Sequence, residues 1–410
     1  MKLKILFVIL TSGLSLHAAE PFTNAYEAIG LFTKVLEEVH RSYVDPDEAG
    51  YDALIRHALS GMLQNLDPYS QFMDAEEYQD MKDDTAGSFG GIGIVISMKD
   101  GLLTVVAPME DTPGFRAGIL SGDIIVEVDG QETRELGLSE AVKLMRGEPG
   151  TEVKIKTLRL STHTVEEITI TREEIDVASV KGAEMIQDGI GYIRITQFNE
   201  PTGANLKAEL ETLVDEGLAG LVLDLRGNPG GLLTAAAEVT ELFLPRGALI
   251  VFTKGRDAGS EDRRFKSNGL THYSAKDFPM VILVNGGSAS ASEIVAGALQ
   301  DHKRAMLVGE KTFGKGSVQS LVPLADGSAV KLTTAKYYTP SERVIHEHGI
   351  EPDYAVEMPM EDLFLLRTRE AQDPDEPDEL LSADPEIRDV QLDAALGALK
   401  GMIIAQEWKK

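Results

Sequence analysis

No cysteine occurs in this chain. Thiol catalysis is thereby excluded, and an exported form has no disulfides to rely on. Positive charge is also scarce: 39 Lys and Arg stand against 67 Asp and Glu, a formal net charge of −28. Nucleic-acid binding calls for basic patches, so that class is set aside. The acidity favours solubility and repels acidic partners at long range. No GxSxG elbow sets a serine beside one of the 8 histidines. His346 and His348 flank Glu347 with no third ligand, which is weak evidence for a metal site. The expectation is that no metal or cofactor is needed.

With 43% hydrophobic residues over 410 positions, the chain is long enough for two or three domains with real cores. Residues 1–19 read as a signal peptide: Lys2 and Lys4, an apolar stretch at 5–16, then small residues. That stretch is short for a membrane span, so the expectation is export to a periplasm or beyond, with membrane attachment only if the segment stays uncleaved. Residues 24–85 carry helical periodicity, with Ile29, Phe32, Val35, Leu36 and Val39 on one face. They are expected to form a helical cap or dimerisation segment. Residues 87–172 change to short strands and turns. Residues 175–357 alternate strands with amphipathic helices, the pattern of βαβ units and a mainly parallel sheet. Residues 360–410 hold an acidic, Pro-containing linker and a final amphipathic helix, which needs a covering surface on its own core or another subunit. The terminal helices suggest a homo-oligomer, a dimer or larger.

The most informative stretch is 280–319, MVILVNGGSASASEIVAGALQDHKRAMLVGEKTFGKGSVQ. Residues 280–285 read as a strand buried on both faces. Helical spacing begins at Ser290, which places that serine at a strand-to-helix turn where backbone N–H groups and the helix dipole favour negative charge. A serine at a helix start is often only a cap. As a nucleophile it needs a base, and a lysine can serve if burial or a cationic neighbour lowers its pKa. Lys315 lies between Gly314 and Gly316, which let the backbone pass close to other groups. Residues 309–316, GEKTFGKG, mimic a phosphate-binding loop, but Gly316 stands where Ser or Thr should follow the lysine, and a strand-like segment with Pro323 comes after instead of a helix.

SASASEIVAGALQD followed by GEKTFGKGSVQ resembles the carboxyl-terminal processing peptidases, Ser-Lys serine peptidases of the tail-specific protease type that carry a PDZ domain. YVD, GML and LDPYSQF in the helical segment extend the likeness. The resemblance implies an α/β multidomain fold: a helical N-terminal segment, a PDZ domain (a small β-barrel-like sandwich with helices), an α/β peptidase core and a C-terminal helix. It also implies Ser290 as nucleophile, Lys315 as general base and Gln319 orienting the lysine. By the same resemblance DLRGNPGG would face the nucleophile, with the backbone N–H of Ala291 and of Gly230 or Gly231 forming an oxyanion hole. The PDZ resemblance implies that GGIGI (Gly90, Gly91, Ile92, Gly93 and Ile94) would be the loop that grips a free peptide C-terminus, the peptide adding as a strand. Glu342 replaces the glycine that usually follows YYTPS in this family. The implied partners are protein or peptide substrates with free C-termini. The alternative is a catalytically inactive PDZ peptide-binding scaffold, which the competent side chains at all three catalytic positions disfavour. Since Lys315 and Gln319 are four apart, contact between them calls for a coiled or helical KGSVQ.

Overall fold

The computed structural model describes residues 24–408 apart from 100, 110–111, 121, 135, 137, 161, 257–262, 270–272, 274–276, 360–361, 364 and 368–387. The expected signal peptide and most of the acidic linker lie outside the described residues.

Residues 1–72 and 73–410 form two compact units. In the first, the Asn24 side chain caps the helix Ala25–Ser42 by accepting from the Glu27 N–H. A second helix, Tyr51–Gln64, follows, and the His40 and Tyr51 rings stack 4.0 Å apart. The expected apolar face of the first helix is there, but Ile29, Phe32 and Val35 are exposed.

The second unit opens with the helix Ala75–Ala86, started by a capping box between Asp74 and Glu77 and ended by Gly87 at φ +80°. Next comes a six-stranded antiparallel sheet whose main path runs Ile94–Lys99, Leu102–Pro108, Ile124–Val128, Glu152–Arg159, Thr164–Thr171, with the short strand Gln131–Glu132 paired to Ile124–Val128. It closes over Ile92, Leu103, Val105, Ile125, Val153 and Ile155, with the helix Leu138–Met145 supplying Ala141 and Met145. The strands that lead in and out of this module, Ser88–Gly91 and Glu173–Asp176, pair with each other.

The remaining chain builds a six-stranded sheet in the order Val180–Gln187, Ile190–Ile195, Gly220–Asp224, Met280–Val284, Met306–Gly309, Tyr354–Ala355. The first pair is antiparallel and every later pair parallel, so the βαβ expectation holds. Alternation along each strand decides what covers it. Leu221, Leu223, Met280, Ile282 and Val284 face the helices Thr202–Asp215, Leu233–Glu241 and Ala291–Asp301. Val222, Val281 and Leu283 face the other way and are covered by Ala395 and Leu399 of the helix Val390–Glu407. The final helix therefore finds its surface on its own core. A smaller antiparallel sheet, including Leu249–Gly255, Ser317–Pro323 and Ala329–Tyr338, flanks this layer.

Candidate active site

The parallel strands end at one edge, where ligands bind in open α/β sheets. There the strand Met280–Val284 turns into the helix Ala291–Asp301 through GGSAS. The turn is fastened to the loop after Gly220–Asp224. Ser288 Oγ donates to the Leu225 carbonyl at 2.8 Å, and Ser292 Oγ donates to the Asn228 carbonyl at 2.9 Å. The Ala289 N–H donates to that same Asn228 oxygen. Both outer serines of SASAS are thus fully buried fasteners. Ser290, between them, is half-buried and does not donate its hydroxyl to the backbone. Its backbone stands at φ +56°, ψ −110°, a region that costs a non-glycine residue about 1–3 kcal/mol.

Asn228 organises the opposite wall. It is fully buried; its Nδ2 donates to the Ile195 carbonyl and its Oδ1 accepts the Gly230 N–H at 2.9 Å. A Cβ on Gly230 would meet Ser290 Cβ at 2.7 Å and Ala291 N at 3.0 Å, so only glycine allows the loop this close. The two candidate glycines are thereby distinguished. Gly230 has its N–H engaged by Asn228, whereas Gly231 is exposed at φ +140° with no hydrogen bond from its N–H to any described residue. The Ala291 N–H, in the first turn of the helix, is likewise unengaged among the described residues.

Lys315 follows the strand Met306–Gly309 in a turn that passes close to neighbouring backbone. A Cβ on Gly316 would lie 2.3 Å from His346 N, and the Gly314 carbonyl accepts the Glu347 N–H at 2.8 Å. The two glycines thus have the function expected of them. The Tyr337 hydroxyl donates to the Lys315 carbonyl. Lys315 is half-buried, and its amine is held below the ordinary lysine range, first by burial and then by the charge of Lys331; the charge of Glu293 pulls it back up.

Glu293 joins the two halves. Its Oε2 accepts the Ser290 N–H and the Lys315 N–H, each at 2.8 Å, and its Oε1 accepts the Gly314 N–H at 2.7 Å and the Thr312 hydroxyl at 2.6 Å. The side chain is fully buried, and burial moves its carboxyl up against the pull of those four bonds.

Gln319 departs from expectation. Only Lys315 and Gly316 of KGSVQ are irregular; the strand Ser317–Pro323 begins immediately after and pairs with Ala329–Tyr338, with a bulge between Val318 and Gln319. The Gln319 amide donates to Ser317 Oγ at 2.9 Å and to Thr333 Oγ1 at 3.4 Å, and no hydrogen bond joins it to Lys315. Cross-strand pairing outweighed the four-residue spacing that suggested a coil. In the antiparallel module, Gly90 and Gly91 lie in the strand paired with Glu174 and Glu173, and Ile92 is buried in the module core. Gly93, at φ +70°, packs on Thr112, and Ile94 opens an edge strand. Sequence reasoning missed Asn228 and Glu293. Glu293 did carry a signal, since Ser290 and Glu293 have capping-box spacing.

The profile of peptidase family S41 matches residues 189–356, and that of a PDZ domain matches residues 104–159. The carboxy-terminal-processing protease of Bartonella bacilliformis is 44% identical over 352 residues, covering 83% of this chain and 78% of its own. The chain belongs to peptidase family S41. Another relative, the carboxy-terminal processing protease CtpA of Bacillus subtilis, is 35% identical and covers 87% of this chain and 78% of its own. A solved structure, the photosystem II D1 C-terminal processing protease, is 31% identical over 82% of this chain and 94% of its own, with a TM-score of 0.47. As an S41 peptidase the chain acts on protein substrates, and its PDZ module is of a kind consistent with peptide binding.

Proposed function

We propose that this peptidase is an exported, periplasmic or secreted serine endopeptidase that takes protein C-termini through its PDZ module and cleaves peptide bonds with Ser290 and Lys315. The observation that carries the reading is the contrast within SASAS. Ser288 and Ser292 are buried and bonded to backbone carbonyls, while Ser290 stands half-exposed beside the unengaged N–H groups of Ala291 and Gly231. In this mechanism Ser290 Oγ attacks the scissile carbonyl as neutral Lys315 Nζ takes its proton. The Ala291 and Gly231 N–H groups receive the oxyanion. Lys315 returns the proton to the leaving amine, and water then releases the acyl group from Ser290 with Lys315 again as base.

Two parts of the reading require movement or addition. Gln319 spends its Nε2 on Ser317 and Thr333, which leaves its Oε1 to accept from the lysine amine once the two side chains are brought together in this mechanism. A substrate C-terminus would add to the free side of the edge strand Ile94–Lys99, its carboxylate at the N–H groups of Ile92, Gly93 and Ile94. Casein hydrolysis by the wild type and by Ser290→Ala, with mass spectrometry locating a fluorophosphonate adduct, tests the assignment. An adduct on Ser290 and an inactive Ser290→Ala are expected; hydrolysis by Ser290→Ala would leave a peptide-binding scaffold with its nucleophile elsewhere.

A further inference from the structure

An acidic residue three positions into a helix usually has one task, to reach back to the N-cap N–H. Glu293 performs it through its bond to the Ser290 N–H. Its other three bonds are not part of a cap. The Thr312 hydroxyl and the Gly314 and Lys315 N–H groups come from 19, 21 and 22 residues away, on the turn that carries the lysine. One oxygen, Oε2, lies between the amide of the serine and the amide of the lysine, so the two backbones stand within two hydrogen-bond lengths of each other.

All four partners are donors without charge: three backbone N–H groups and one hydroxyl. An ionised carboxylate uses every one of them, whereas a protonated one gives up an acceptor position facing three N–H groups that can only donate, the Thr312 hydroxyl alone being able to accept. Such bonds to a charged acceptor are the stronger kind. They act where the backbone is least able to hold itself, since Ser290 lies outside the regions open to side-chain-bearing residues, and Lys315 follows Gly314, itself at φ +93°.

We propose that Glu293 is a positioning residue, a buried carboxylate that sets Ser290 and Lys315 at working distance by holding both of their amides. This rests on the Ser290–Lys315 reading above. Glu293 touches neither substrate nor reacting atoms; it acts through the two residues that do. It also adds a charge to the lysine's surroundings. The charges acting on Lys315 are those of Glu293 from the helix and Lys331 from the strand Ala329–Tyr338; His346 and Glu347 belong to the neighbouring turn, whose backbone packs on Gly316 and Gly314, and Tyr337 bonds to the lysine's carbonyl. Of these, Glu293 favours the protonated amine and Lys331 opposes it.

Two substitutions in the full-length protein separate reach from charge. Glu293→Gln keeps the length of the side chain and loses the charge, and Glu293→Asp does the reverse. Each should lower kcat on a peptide substrate by about 100-fold, the scale of a misplacement near 1 Å, with KM within about twofold of wild type. Their pH profiles should differ. The ascending limb should move to lower pH in Glu293→Gln, since a charge that favoured protonated Lys315 is gone, and stay in place in Glu293→Asp. Fluorophosphonate labelling of Ser290 should slow in parallel, while thermal midpoints stay within a few degrees. A wild-type kcat with an unmoved limb in a folded Glu293→Gln would overturn the proposal. So would a loss of activity that merely follows a collapsed thermal midpoint. If Glu293→Gln does not fold, a wild-type kcat in Glu293→Asp overturns it alone. Lys315→Ala separates the two levels: activity surviving in Lys315→Ala defeats the Ser-Lys reading itself, whereas an inactive Lys315→Ala beside a fully active Glu293→Gln defeats only the role of Glu293.

Discussion

The single charge on Lys315 decides whether the proposed dyad can work. An ordinary lysine titrates near 10.4, which leaves about one in two thousand neutral at pH 7. Burial and Lys331 lower the Lys315 pKa, which enlarges that fraction. Activity should therefore rise with pH through a limb below the usual lysine range. In Lys331→Met the like charge is gone, protonation of Lys315 becomes easier, and its pKa rises. The limb then moves to higher pH and activity at pH 7 falls, as an initial-rate profile would show; a limb that does not move would remove Lys331 as a tuning group. Lys315→Arg should be inactive, because arginine stays charged and accepts no proton. Measurable turnover by Lys315→Arg would send the search for the base to the histidines.

Among the elements, the strand-turn-helix around Ser290 was legible because Met280–Val284 is buried on both faces and reads as an unbroken apolar run. The DLRGNPGG loop was legible only as close approach. Which glycine keeps an unengaged N–H depends on Asn228 Oδ1, a contact no local pattern displays. KGSVQ was misread since the partner strand Ala329–Tyr338 lies beyond the window where spacing rules apply. The GGIGI loop was half legible: its last residue, Ile94, opens the edge strand, but Gly90 and Gly91 belong to the paired stems of the module. That edge yields a measurable expectation. Ser290→Ala, full length, should bind a peptide with a free C-terminus more tightly than its amide, by fluorescence anisotropy; equal affinities would end the carboxylate role. A proline at Ile96, in the edge strand, should weaken both peptides if the missing N–H faces the incoming strand.

Across the whole molecule, the last helix is bound to the site loop by a buried charge network. Asp224 and Arg226, both fully buried, pair at 2.7 Å, and Arg226 also meets Asp389, the cap of Val390–Glu407, at 2.8 Å. Tyr192 donates to Asp224 at 2.8 Å, and Arg367 bonds to the same carboxylate. Burial alone would raise the Asp224 carboxyl, but Arg226 and Arg367 hold it well below the ordinary range. A depressed folded pKa gives stability that is present above the unfolded value near 3.9 and lost as pH falls below it. Urea midpoints should therefore drop steeply below about pH 4 in the wild type, and less in Asp224→Asn, which starts lower. Asp389→Ala should cost about 1–3 kcal/mol by removing a charge-assisted bond, and Leu399→Ala about 2–5 kcal/mol by opening a cavity under the helix. Wild-type denaturation curves for both would mean the helix is dispensable to the fold.

That network also has a place in time. Arg226 and Asp389 are 163 residues apart in the chain. At ordinary rates of synthesis the later partner emerges roughly 10–30 s after the earlier one. Throughout that interval the loop bearing Asn228, Gly230 and Gly231 is made but lacks its brace from behind. The bond from Asp389 to Arg226 is thus among the last to be installed, and a growing chain carries its wall against Ser290 unbraced until the final helix has emerged.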